Sequence, residues 1–188
     1  MAGKPAENIA PGSATSRLLG RTKVMQSKSL RNSIFTQAVL AAYFQAIQWL
    51  PLGRWNYQPG FDPLLTGALQ GHLVVLDVLI MILFVLPALL FWIAYRRGLI
   101  WLMWACLVGY TIWLGMEVKT WWVSYILGAS DQWVEVYQRV FSQSTKVLPS
   151  FGRHLAPDGM HFVLQLLLAV IVITGAVGLL QRRGKAAR

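Results

Sequence analysis

The residues that could take part in chemistry are ionisable side chains inside or beside long apolar stretches. Asp77 lies in the run GHLVVLDVLIMILFVLPALLFWIAYRR, which covers residues 71–97. A charged group costs roughly 2.5 to 3.5 kcal/mol at the centre of a hydrocarbon layer and less near its edge, so we expect a partner for Asp77. The candidate partners are Lys119, His161 and His72. Such a group is suited to binding a ligand or to moving protons.

Two further sets of polar side chains lie on apolar helix faces. Glu117 follows Tyr110 and Trp113 at helical spacing, so the carboxyl group is expected at the end of an aromatic stripe. His161 and Gln165 are four residues apart and therefore share one face of a helix. Both sets predict polar groups at the edge of a helical bundle.

Small and amide side chains predict contacts between helices. Gln37, Gln45 and Gln48 fall on one stripe, where buried amides form hydrogen bonds across a bundle. Gly175 and Gly178 are expected to allow close helix approach rather than to form a binding site.

Several classes of active site are excluded by the sequence. The single cysteine, Cys106, allows neither an internal disulfide nor a paired-cysteine metal site. We find no nucleophile with an adjacent base and no glycine-rich phosphate loop. Catalytic residues and cofactors are therefore unknown at this stage, and the sequence does not decide whether the protein is an enzyme.

The composition indicates a membrane protein. Of 188 residues, 56% are hydrophobic and only 13% are charged, which is unlike a soluble domain. The formal charge of +10 comes from basic residues at the ends of apolar segments, which is a topology signal. We therefore expect the lipid bilayer as a partner and no binding of nucleic acid.

The predicted fold is an all-α membrane protein, with four transmembrane helices in an antiparallel bundle and a short interfacial helix. The four spans are predicted at about 34–52, 72–95, 99–121 and 159–180. They belong to one transmembrane domain, 34–181. A disordered basic tail is expected over 1–33, and a second basic tail over 182–188.

The loop 125–158 contains the interfacial helix. Asp131 is expected to cap it, and its apolar stripe is formed by Trp133, Val136, Tyr137 and Val140.

The basic residues predict the orientation of the four spans. With the N-terminus inside, twelve Lys and Arg residues lie on the cytoplasmic side and five on the other, the five being Arg54, Lys119, Arg139, Lys146 and Arg153. The positive-inside rule then places both termini in the cytoplasm of a bacterial inner membrane.

This orientation brings polar residues from separate parts of the chain to the outer third of the bundle. The expected polar cavity is formed by His72, Asp77, Glu117, Lys119, His161, Gln165 and Gln48. The expected aromatic lining consists of Trp113, Trp121, Trp122 and Tyr125.

Three functions fit these predictions. The first is an accessory or assembly subunit that binds another membrane protein, with ion pairs that set helix register. The second is a membrane enzyme or transporter that handles a small amphiphilic ligand, a quinone or protons. The third is a cofactor protein, either with His72 and His161 as axial ligands of haem b or with these two histidines, Asp77 and Glu117 around a metal ion; no other metal site is expected.

A resemblance adds to the expected architecture. The segments KTWWVSYILG at 119–128, YQRVF at 137–141, TKVLP at 145–149 and PDGMH at 157–161 resemble uncharacterised bacterial four-span integral membrane proteins. The resemblance implies the four-span architecture and implies no activity.

Overall fold

The computed structural model describes residues 27–50, 52–55, 79, 82 and 84–186. Its elements are α1 (Lys28–Trp49), a 3₁₀ turn (Gly53–Trp55), α2 (84–97), α3 (Ile100–Val118), a π-helical segment (Lys119–Val123), α4 (Ser124–Leu127), α5 (Asp131–Val140) and α6 (Gly159–Ala186). The described part of the chain is mostly helical and contains no strand, only two isolated β-bridges.

Two helices are long and apolar enough to cross a membrane. The first is Ile100–Leu127, with 28 residues running through α3, the π-helical segment and α4; the second is Gly159–Gly184, with 26. At 1.5 Å per residue they are about 42 and 39 Å long, compared with about 30 Å for a hydrocarbon core. Large apolar side chains such as Ile112 and Ile173 are exposed on their outer faces, as lipid contact requires.

The helix ends differ from the predicted span ends. α1 begins at Lys28 rather than Ile34, so part of the tail predicted to be disordered is helical. The physical reason is burial, because Leu30 and Ser33 are completely covered. α6 continues to Ala186. The helix continues beyond the last apolar residues, since the long basic side chains that follow them can extend from the helix end to water.

α6 packs against both α1 and α3. One core cluster joins Leu30 of α1, Leu107 of α3 and Leu179 of α6, together with Phe91 and Ala94 of α2. A second cluster, nearer the start of α6, contains Leu40, Tyr110 and Leu164. The core therefore lies along α6, with the other helices arranged around it.

Two glycines allow this close packing. A Cβ built on Gly178 would lie 2.6 Å from the Leu30 Cγ and 2.9 Å from its backbone nitrogen. A Cβ on Gly175 would lie 2.8 Å from the Leu107 Cδ1 and 3.2 Å from the Ser33 Oγ. The prediction that Gly175 and Gly178 are helix contacts is confirmed.

Polar side chains connect the three packed helices. Gln37 is buried; its amide nitrogen donates to the Ser33 Oγ (3.3 Å), and its oxygen accepts from the Tyr110 hydroxyl (3.4 Å). The Ser33 hydroxyl donates to the Ile171 carbonyl at 3.2 Å. The predicted bonding of the glutamine stripe is thus confirmed at Gln37, whereas the Gln45 Nε2 is buried without a hydrogen-bond partner.

α2 and α3 form the helical hairpin that the short Arg-Arg-Gly turn implies. Gly98 has a φ of +72°, a left-handed conformation that glycine adopts without steric cost. The Leu99 N–H donates to the Ala94 carbonyl (2.9 Å) and the Gly98 N–H to the Tyr95 carbonyl (3.4 Å). This is the double hydrogen-bond pattern of a Schellman helix end, which reverses the chain at once.

Replacing Gly178 by alanine should destabilise the protein. The new methyl group meets backbone, which cannot move aside as a flexible side chain can, so we expect a loss of about 1 to 3 kcal/mol. Gly184→Ala is the control on the same helix, because a Cβ there meets nothing within 4 Å. Thermal unfolding of the detergent-solubilised protein measures both. Equal melting temperatures for the two variants would contradict the proposed helix contact.

Candidate functional site

A long apolar groove runs between α2 and α3. Its volume is about 620 Å³, within the usual range of about 300 to 1,000 Å³ for ligand sites. The α2 residues that line it are Phe84, Leu86, Pro87 and Leu90. The α3 residues are Leu102, Ala105, Cys106, Gly109, Tyr110, Ile112, Trp113 and Met116. None of these described lining residues carries a charge.

The groove is elongated along the helix axis. Its lining on α3 begins at Leu102 and ends at Met116, a rise of about 21 Å. This is longer than one leaflet of a hydrocarbon core about 30 Å thick. A Cβ built on Gly109, midway along the lining, meets no atom of the described residues within 4 Å, so space is open there. Such a shape suits an extended hydrocarbon chain better than a compact ligand.

Glu117 lies just beyond the groove end that is farther from the α2–α3 turn. The Trp113 Nε1–H donates to the Glu117 Oε1 at 3.3 Å, and Phe84 packs edge-on against Trp113 at 4.3 Å. The other carboxylate oxygen, Oε2, is buried and has no hydrogen-bond partner among the described residues. Lys119 is exposed, and residues two apart on a helix do not face each other. The Glu117 carboxylate is therefore only half satisfied.

A second polar centre is built on Asp158, which is completely buried. One of its carboxylate oxygens accepts from the His161 backbone N–H at 2.8 Å, and its carbonyl accepts from Phe162 N–H at 3.0 Å. Asp158 is therefore the N-cap of α6, where a carboxylate also interacts favourably with the helix dipole.

The His161 ring is held by the same carboxylate. Its Nδ1 lies 2.9 and 3.0 Å from the two Asp158 oxygens, so Nδ1 carries the proton and a neutral ring presents its lone pair on Nε2. The ring packs against Trp121 at 4.4 Å and against Phe141 at 5.5 Å. His161, Asp158 and Trp121 are thus in contact with one another through the His161 ring. Together with Tyr137 and Lys146, they form what we call the aspartate cluster.

Tyr137 and Lys146 complete the aspartate cluster. The Tyr137 hydroxyl donates to the Ala156 carbonyl at 2.8 Å. Burial raises the Tyr137 pKa; the Ser150 hydrogen bond lowers it, and the Asp158 charge adds to the rise. The Lys146 Nζ donates to the Phe141 carbonyl and lies 4.4 Å from the centre of the Tyr137 ring. Burial lowers the pKa of Lys146, and the Asp158 charge opposes this effect.

Backbone hydrogen bonds connect the aspartate cluster to the 3₁₀ turn Gly53–Trp55. Lys146 and Asp158 form an antiparallel bridge. Thr145 accepts from the Gly159 N–H at 2.7 Å and donates its own N–H to the Arg54 carbonyl at 2.8 Å. These bonds hold the segment between α5 and α6 against the beginning of α6.

The structure places most of the predicted site residues in contact pairs. His161 packs on Trp121, the Gln165 Oε1 accepts from the Trp122 Nε1–H at 2.6 Å, and Glu117 pairs with Trp113. Lys119 is exposed, and the Tyr125 hydroxyl donates to the Pro149 carbonyl at 3.4 Å. The Gln165 Nε2 is buried without a partner.

Three predicted residues lie outside the described part. They are His72, Asp77 and the side chain of Gln48. The convergence of all seven polar residues on a single cavity therefore stays a prediction. His161, offered as a partner for Asp77, bonds to Asp158 through Nδ1, and its pairing with Asp77 stays a prediction.

Of the two histidines expected as haem ligands, the structure describes one, His161. His161 retains only Nε2 for an axial bond, because Asp158 engages Nδ1, and His72 lies outside the described residues. Within the ranges that the structure describes, no group of three or more His, Cys, Asp and Glu side chains could hold a metal ion.

The role of Asp158 in the aspartate cluster is not among the predictions from the sequence. The available signal was its position three residues before His161, which fits a capping aspartate. The cap of α5 also differs from the prediction. Ser130, not Asp131, is the N-cap, because its hydroxyl accepts from the Trp133 N–H at 3.3 Å. The helix packs inward on Trp121 through Trp133 and Tyr137.

Asp158→Ala should strongly destabilise the protein, whereas Asp131→Ala should have little effect. The first change removes a helix cap and leaves two His161 donors unsatisfied, a loss of about 2 to 4 kcal/mol. Asp131 is also at a helix start, but its side chain is 93% exposed. Thermal unfolding of both variants in one detergent measures the difference. A melting temperature of Asp158→Ala equal to that of Asp131→Ala would show that the aspartate cluster does not stabilise the fold.

Comparison of the chain with protein-family models, with curated proteins and with solved structures finds no match.

Proposed function

We propose that this protein is a four-span bacterial inner-membrane protein that binds an extended apolar chain of a membrane amphiphile between α2 and α3. The observation that carries the proposal is the groove itself. It is long, its described lining is uncharged, and open space faces Gly109 at its middle. An apolar chain that enters the groove gains van der Waals contacts with the side chains that line it. In a bilayer, where lipid already covers apolar surface, selectivity must come from shape and from the polar end.

The four-span architecture is part of this proposal. Two long apolar helices support it directly, and α1 and α2 pack beside them as the other two spans would. The inner-membrane location and cytoplasmic termini rest on the excess of basic residues on one side, and the resemblance to bacterial four-span proteins agrees with them. In this orientation Glu117, α5 and the aspartate cluster lie toward the outer face.

An accessory or assembly role is the second candidate. It is favoured by exposed apolar side chains around α4 and the segment after α5. Leu127 is 77% exposed, Ile126 65% and Phe151 58%. A surface of this kind fits another membrane protein as well as it fits lipid headgroups. The two candidates are separated by whether a lipid occupies the groove.

Filling the groove should prevent lipid binding. In Gly109→Leu the new side chain enters open space, and leucine favours a helix more than glycine does, so the fold should not suffer. We expect wild-type protein to bind one dioleoyl phospholipid saturably and the variant to bind at least about tenfold more weakly, which corresponds to about 1.4 kcal/mol of lost contact. Native mass spectrometry of the delipidated protein measures the bound fraction.

Gly115→Leu is the matched control for this experiment. Gly115 lies on the same helix, faces open space and does not line the groove, so this variant should bind as the wild type does. Equal binding by Gly109→Leu and wild type would rule out the groove as the lipid site and leave the accessory role.

The orientation can be tested with single cysteines. In a Cys106→Ala background, a cysteine at Ser142, in the exposed turn after α5, should react with a membrane-impermeant maleimide added to intact cells. A cysteine at Gly184, near the end of α6, should react only after the membrane is opened. Labelling of both positions, or only of Gly184, in intact cells would contradict the proposed topology.

A further inference from the structure

The groove has an acidic side chain, Glu117, beside one end. Glu117 has one carboxylate oxygen that accepts from Trp113 and a second, Oε2, that is buried and finds no donor in the part of the chain that the structure describes. A buried acceptor without a donor costs about 1 to 3 kcal/mol, and more when it is charged. Such a group in a folded protein calls for an explanation, and a ligand that supplies the missing donor is one.

No cation of the described residues neutralises Glu117. The ion pairs among the described residues join Arg139 to Glu135, Arg153 to Asp131 and His161 to Asp158. The groove lining next to Glu117, namely Trp113 and Met116, contributes no charge. The site is therefore apolar along its length and negative at one end.

The position of Glu117 matches the depth of a lipid headgroup. It lies about 26 Å along the helix axis from Ile100, and a hydrocarbon core is about 30 Å thick. An apolar chain that lies along the groove from Leu102 to Met116 would place its polar head beside Glu117. Shape and charge thus point to the same end of the groove.

We propose that the groove selects a phospholipid whose head carries a primary ammonium, with the Glu117 Oε2 accepting one of its N–H groups. This inference rests on the proposed function. A primary ammonium offers three donors and a full positive charge, so it satisfies the orphan oxygen and neutralises the carboxylate together. A trimethylated ammonium carries the charge but has no N–H, and its methyl groups hold it farther from the oxygen. The ionic hydrogen bond, not net charge alone, is the basis of selection.

The test compares two dioleoyl phospholipids that differ only in the head, ethanolamine or choline. We expect the wild type to bind the ethanolamine lipid about tenfold more tightly in native mass spectrometry titrations. Glu117→Gln keeps an oxygen for the Trp113 bond but replaces the carboxylate by a neutral amide, so this variant should bind both lipids with the affinity that the wild type has for the choline lipid. Glu135→Gln, which removes an exposed carboxylate on α5, should keep the wild-type preference.

The outcomes separate this inference from the proposed function. If the wild type binds both lipids equally while Gly109→Leu still weakens both, the groove binds the chain and the headgroup inference is overturned. If Glu117→Gln keeps the tenfold preference, a group other than Glu117 selects the lipid headgroup and the inference is again overturned. If neither lipid binds saturably and Gly109→Leu changes nothing, both proposals fail.

Discussion

The structure depends on the close approach of α6 to its two neighbours. Gly178 lets the Leu30 backbone of α1 contact α6, and Gly175 makes room for the Leu107 side chain of α3. Helices in a membrane gain little from hiding apolar surface from each other, since lipid tails are equally apolar, so contact at small residues is the main source of attraction. α3 packs against α6 with one face and against α2 with another. The groove lies on that second interface.

The turn at Gly98 sets the geometry of the second interface. Only Gly98 and Leu99 lie between α2 and α3. Next to this turn, Phe91 and Ala94 of α2 pack in one cluster with Met103 of α3. Farther from the turn, the lining residues Ala105, Gly109 and Cys106 are small and leave volume between the helices. A pair of helices fixed at one end and lined by small residues beyond it thus encloses an elongated space, and no specialised loop is needed to form it.

The sequence predicted the parts of the fold that local chemistry determines. Apolar length identified the helices that contain Ile100–Leu127 and Gly159–Gly184, and residue size identified Gly175 and Gly178 as contacts. The groove could not be predicted, because it depends on which faces of α2 and α3 meet, and both helices are apolar nearly all round. The role of Asp158 was missed for a related reason. An aspartate before a helix satisfies a local capping pattern, and only the folded chain shows that it is completely buried and interacts with Tyr137 of α5 and with Lys146.

The two polar centres differ in a way that assigns them different roles. Asp158 is the more deeply buried acid, yet both of its oxygens are close to His161 donors and the residues around it are linked by backbone bonds. A polar network that is satisfied in this way stabilises one arrangement of the chain and has no need of a ligand. Glu117 is less buried but retains an oxygen without a donor, at the end of an open groove. Because an unsatisfied charge gains most from a new partner, recognition belongs to Glu117, while the aspartate cluster holds the end of the bundle rigid.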